Sequence, residues 1–346
     1  HLGDYFYEYG PGTYPSNEEA APGRVLFPAN ELVSLADYRL RYATYRRDPD
    51  LRRLHQLYPM IAGWDDHESA NDSWAGGAQN HQSDTEGEWS VRKAAAMKAY
   101  REWMPVSDEP WAAYEVGDLA TLFRLETRLT ARAEQFSYGD ILSGKTSPED
   151  AMAALIAFRE GGYRDSGREM LGMKQQAWLS DGLKRSVGAG KPWQVLVQQV
   201  LMGNLATAPG LADGLPGDLP DYVRQRILAG AMASRAELPL NMDAWDGYPA
   251  ARERGFKAAL EANANIVSLA GDTHNAWAFD LDHAGEKVGV EFGVQGVTSP
   301  GLESYASYLP TSDLERATVA HNRQLKWMDG SRRGYMAVEL TPGSAA

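Results

Sequence analysis

The 346-residue chain has no cysteine. Thiolate nucleophiles, disulfides and thiolate metal sites are therefore excluded, and any metal must be held by oxygen or imidazole nitrogen. Basic residues are the minority: 34 Lys and Arg against 47 Asp and Glu give a formal net charge of −13. A surface of that sign repels polyanions on average, which argues against nucleic acid as a stable partner. Long apolar runs are missing too. No stretch approaches the ~20 residues of a membrane span, and the opening HLGDYFYEYG lacks the charged-then-apolar layout of a secretory leader. What is there is 43% hydrophobic, enough for a sizeable core, and we expect one domain over residues 1–346. His1-Leu2-Gly3 reads as the tail of a strand whose body lies outside this sequence, and Arg333 to Thr341 as a strand entering a turn.

Three apolar segments run straight into polar clusters: His1-Leu2-Gly3 into Asp4, Tyr58 to Trp64 into Asp65-Asp66-His67-Glu68, and Ile266 to Ala270 into Gly271-Asp272-Thr273-His274. Short buried strands that feed such loops are where open α/β sheets place their chemistry. Helices are expected from Glu31 to Arg46, Trp89 to Trp103, Ser147 to Phe158, Gln175 to Ser186 and Pro249 to Leu260, with further strands from Lys191 to Gln199 and Val288 to Val294. The alternation predicts an α/β fold. Gly- and Pro-rich segments at Tyr9 to Phe27 and Asn204 to Asp221 read as loops within it.

In Gly3-Asp4-Tyr5-Phe6-Tyr7 a carboxylate and a phenol three residues on can offer two oxygens to one hard cation, the phenolate being stable beside ferric iron. The plainer reading is an aromatic wall with one exposed acid. In Trp64 to Glu68, Asp66 can reach a metal while His67 faces a substrate as an acid or electrostatic donor, although acidic loops are commonly just solvated. Asp272 and His274 lie two apart, and in an extended turn project to one side with mixed oxygen and nitrogen donors; the alternative for His274 is a core histidine. Jointly, the ligand types converge on a dinuclear oxygen-and-nitrogen site.

At these residues the chain resembles the calcineurin-like metallophosphoesterases, and within them the PhoD family of alkaline phosphatases and phosphodiesterases. The blocks HLGDYFYEYG, DYRLRYATYRRDPDLRRLHQLYPMIAGWDDHESAND, AYREWMPV, FRLETR, QQAWL, WDGYPAAR, NIVSLAGDTHNAWAFDL and VTSPG follow that family's order over nearly the whole length. The resemblance implies a sandwich of two mixed β-sheets flanked by helices. It makes Asp4 the carboxylate shared between metals, Tyr7 the phenolate ligand of Fe3+, Asp66, Asp272 and His274 further ligands, and His67 the substrate-side histidine. Iron together with calcium (Ca2+) is implied, with Zn2+, Mn2+ or Co2+ as other occupants. Asn71 is either a calcium ligand or an ordinary turn residue. Glu68 is expected to orient His67. Arg124 and Arg128 are candidates to grip phosphate, or to pair with Glu126 or Asp66 as structure. Relatives begin with a strand whose loop also ligates iron, and this sequence starts after it; either that strand, with any N-terminal domain, lies outside the sequence given, or the first metal site is incomplete.

The expected reaction is hydrolysis of phosphomonoesters or phosphodiesters at alkaline pH by in-line attack of a metal-activated hydroxide, with His67 assisting the leaving alkoxide. No G-x-S-x-G elbow supports a serine nucleophile. Tyr5, Phe6, Tyr7, Tyr9, Trp64 and Trp74 are mostly core, or in part a rim for an organic ester group. The substrate is a small-molecule, lipid or polymer phosphoester. Two rivals share the fold: a phospholipase D-like lipid hydrolase, and a catalytically silent metal-binding protein. The resemblance implies a periplasmic or secreted enzyme.

Overall fold

The near-continuous apolar runs become the middle of a mixed sheet. The computed structural model describes residues 1–14 and 23–346, apart from the side chains of Tyr222 and Tyr305. The loop expected from Tyr9 to Phe27 thus falls in part on residues 15–22, outside the described residues. By their backbone contacts the residues form two compact units, His1–Ala112 with Leu125–Glu134, and Ala113–Arg124 with Gln135–Ala346.

The second unit carries the sheet. Its strands are β1 (Ala112–Val116), β2 (Ala120–Arg124), β3 (Trp193–Val197), β4 (Ile266–Ala270), β5 (Ala276–His283), β6 (Glu286–Gly293) and β7 (Leu325–Asp329), in the order β1-β2-β3-β4-β6-β5-β7. β2, β3, β4 and β6 pair in parallel, while β5 runs antiparallel to both β6 and β7. Helix Gly172–Gly188 packs on β2 and β3, and helix Pro249–Glu261 on β5 and β6. Strands covered in this way need apolar side chains along their length, which is why β3 and β4 read so plainly in the sequence. β5 and β6 are joined at Ala284-Gly285, both at positive φ, as the right-handed twist of a tight hairpin demands.

The first unit is helical. Helix Leu35–Tyr45 begins at a capping box in which the Ser34 side chain accepts from the Asp37 N–H and Asp37 accepts in return. Helix Pro49–Leu57 begins with Asp48 as N-cap and proline in its first turn, and helix Trp89–Trp103 follows. The buried faces of helices Leu35–Tyr45 and Trp89–Trp103 close on a core with Phe6, Tyr38, Tyr42, Trp64 and Tyr100, the Trp64 and Tyr100 rings meeting edge to face at 5.3 Å. Fully buried Arg41 reaches out of helix Leu35–Tyr45 to the carbonyls of Tyr7, Tyr9 and Phe27, so the loop after Asp4 is fixed to the helix.

The α/β class with flanking helices is as expected, and the strands among the described residues form one mixed sheet. Three expected strand segments are not formed. His1-Leu2-Gly3 and Tyr58 to Trp64 run side by side, with hydrogen bonds from His1 N to Ile61 O (2.8 Å) and Gly63 N to His1 O (3.1 Å); so short a pairing does not constitute a strand. Arg333 to Thr341 likewise yields only the isolated bridge Leu340–Ala345. Among the described residues no helix is long and apolar enough to cross a membrane.

Candidate metal centre

In the first unit the loop after Gly3 and the loop after Trp64 are tied together by one carboxylate. Glu68 accepts the backbone N–H groups of Asp4 (3.1 Å), Tyr5 (2.6 Å) and Asp65 (2.7 Å). Burial pushes this carboxyl up to about 7 despite those three bonds. Glu68 therefore organises the two loops and does not orient His67, a correction to the expected role. Gly3 makes their approach close: its φ is +113°, and a Cβ there would lie 2.2 Å from the Asp65 Cβ.

This approach brings an oxygen each of Asp4 and Asp66 and a ring nitrogen of His67 within 4.8 Å of one another, a grouping that could hold a metal ion. Asp4 has a left-handed backbone, φ 56°, and the Tyr7 hydroxyl donates to its Oδ2 at 3.3 Å. Asp66 Oδ1 accepts the His67 N–H (2.9 Å) and its Oδ2 the Asp72 N–H (2.6 Å). Burial raises the Asp4 carboxyl well above its ordinary range; His67 opposes the shift, and Asp65, Asp66 and Glu68 add to it. Burial also opposes charge on Asp66, but His67, Arg128 and the Asp72 N–H together hold its carboxyl well below the ordinary value. For His67 burial is outweighed by Asp66, Glu8 and Asp4, which raise its imidazole well above 6.5.

The donor set fits a hard or borderline cation. The carboxylates of Asp4, Glu8, Asp65, Asp66 and Glu68 gather about His67 and Arg128, and so marked an excess of negative charge is what an oxygen-liganded metal offsets. Arg128 is wholly buried; its Nε donates to Asp65 and its Nη2 lies 3.9 Å from Asp66 Oδ1. Arg124 ends β2 in the second unit and is also buried. Asn71 gives its amide nitrogen to Gln79 Oε1 at 2.9 Å. Of the aromatic residues considered for a rim, Tyr5, Phe6 and Trp64 are core, whereas Tyr7 and Tyr9 are half-buried with rings 4.1 and 5.7 Å from that of His67.

Sequence reasoning missed Glu8. It is fully buried, its Oε2 is 2.6 Å from His67 Nδ1, and its Oε1 accepts from Asn71 N (2.7 Å) and Asn80 Nδ2 (2.9 Å). The available signal was an acid among aromatic neighbours in YFYEY, since a carboxylate carried into an apolar wall requires partners.

In the second unit β4 ends at Ala270, where expected, and Gly271 N donates to Gln199 O (2.6 Å) after β3. Asp272 and His274 both have left-handed backbones, φ 67° and 60°, rather than the extended turn expected from their spacing. His274 Nδ1 lies 2.7 Å from Pro300 O. A carbonyl only accepts, so Nδ1 carries the proton and Nε2 is the nitrogen with the lone pair. Arg333 holds the same turn, donating to His274 O at 3.1 Å and to Glu303.

The PhoD-like phosphatase family matches residues 1–346. Alkaline phosphatase D of Bacillus subtilis is 33% identical over 319 residues, covering 87% of this chain and 46% of that protein. A solved structure described as "Structure of PhoD" superposes with a TM-score of 0.70 at 27% identity, covering 99% of this chain and 58% of that one. The chain thus spans about half the length of the relatives it matches. With a match along its whole length, the chain belongs to the PhoD-like phosphatase family.

Proposed function

We propose that the chain hydrolyses phosphoesters with the help of bound cations. The observation that carries this reading is the approach of the Asp4 and Asp66 carboxylates, with the His67 ring beside them, at the closely approaching loops of the first unit. Resemblance to the family supports reading Asp272 and His274 of the second unit as metal ligands, and likewise Tyr7 and, through its amide oxygen, Asn71 of the first. An oxygen-rich set with a phenol suits Fe3+ paired with Ca2+, and Zn2+, Mn2+ or Co2+ are the other candidates. When bound, such cations supply Lewis acidity to water and to phosphoryl oxygens.

The protein's own groups do the rest. His67 faces the substrate and gives its proton to the departing oxygen. Buried Arg128 acts through Asp65 and Asp66, holding the loop that carries both and offsetting its charge. The half-buried rings of Tyr7 and Tyr9 beside His67 favour esters with an organic group on the phosphorus. By family resemblance the enzyme works in the periplasm or outside the cell on small-molecule, lipid or polymer phosphoesters. Substituting Asp272→Ala tests the assignment: bound metal and hydrolysis of an aryl phosphodiester should be lost together. Turnover at the parent rate by that variant would refute it.

A further inference from the structure

The segment Tyr7-Glu8-Tyr9 forms a cradle about His67. The Tyr7 ring lies at 4.1 Å and the Tyr9 ring at 5.7 Å, and between them Glu8 Oε2 sits 2.6 Å from Nδ1. The backbone of the cradle is pinned at each residue. Arg41 donates to the carbonyls of Tyr7 and Tyr9, and the Glu8 carbonyl accepts Leu32 N at 3.0 Å. The carboxylate itself cannot turn freely, because Asn71 N and Asn80 Nδ2 fix its other oxygen. A fully buried acid held in this way is built to orient one partner.

We propose that Glu8 is the positioning residue of His67: its carboxylate captures Nδ1, so that Nε2 is the nitrogen presented to the leaving oxygen of the ester. This rests on the phosphoesterase reading above. As the oxygen of water bonds to phosphorus and the ester phosphorus–oxygen bond breaks, the electron pair of the broken bond stays on the leaving oxygen, which takes the Nε2 proton; the neutral imidazole then regains a proton from water. A ring free to flip loses this alignment, and esters with poor leaving groups suffer most because they depend most on the proton.

The test compares Glu8→Gln with the parent on an alkyl and a 4-nitrophenyl phosphodiester, with metal content measured on the same samples. For Glu8→Gln we expect kcat on the alkyl ester to fall on the order of ten- to a hundredfold at unchanged KM, a much smaller loss on the nitrophenyl ester, and parent metal content. Equal losses on both esters, loss of metal in parallel, or no loss at all would overturn the proposal. A second measurement stands even if the variant fails to fold. In parent protein loaded with Zn2+ and Ca2+ and carrying 15N-histidine, a strongly downfield Nδ1 proton should be present and absent from His67→Asn; its absence from the parent overturns the pairing. If the parent cleaves neither ester, the phosphoesterase reading fails, while the Nδ1 signal still decides whether Glu8 holds His67.

Discussion

At the scale of single residues the candidate ligands of each unit adopt backbone conformations that most side chains avoid. Asp4, Asp272 and His274 all lie at positive φ, and such strain persists only where the surroundings impose it. Gly3 is the most exacting position. Gly3→Ala must both adopt φ +113° and push the Asp65 Cβ away from 2.2 Å, so the variant should lose roughly 2–4 kcal/mol, read as a lower midpoint in urea unfolding. His67→Ala should slow turnover by on the order of a hundredfold with metal content nearly intact; loss of metal alongside activity would place His67 among the ligands. Asp66 and His67 were legible because an apolar run delivers them directly. Glu8 was not: its partners are 59 to 72 residues away, and spacing along the chain does not reveal them. Glu68 was misread because an acid next to a histidine suggests a pair, whereas its geometry serves three backbone amides.

Among the elements, β4 was read to the residue, and β3 and β6 nearly so, because parallel strands covered by helices keep their apolar side chains in runs. β1 and β7 mix charge with apolar residues, as in AAYEV and LKWMD, and at the two edges of the sheet they give only a faint pattern. In the opposite direction, the apolar stretch before Asp65 resembled a strand but serves as extended wall to an aromatic core. Long-range clamps are also invisible in the sequence. After β3 the successive N–H groups of Met202, Gly203, Asn204, Leu205 and Ala206 are all accepted by side chains: Glu291 takes the first two, then Gln324, Asp246 and Asn322. Burial lifts the Glu291 carboxyl from 4.5 to about 7. The folded chain therefore holds this proton more tightly than the unfolded chain, and Glu291 contributes stability below pH 4.5 that is lost as the pH rises through about 7. Glu291→Gln should remove that fall, about 3 kcal/mol in size, as measured by denaturant unfolding across this range. Glu68 titrates in the same window in both proteins and cancels in the difference. A parent profile parallel to that of the variant would contradict the assignment.

On the scale of the whole molecule, the net charge of −13 and the carboxylates gathered in the first unit point the same way: cations held at the proposed site should stabilise the fold. Stripping the ions should lower Tm, since a ligand at a hundred times its Kd contributes about 2.7 kcal/mol, and the loss should be smaller in Asp66→Ala. The most direct measurement is the rate of aryl phosphodiester hydrolysis at alkaline pH before and after complete chelation. The account predicts that turnover disappears with the metal and returns when Fe3+ and Ca2+, or a substituting divalent ion, are restored. An undiminished rate in protein shown by elemental analysis to be metal-free would contradict it.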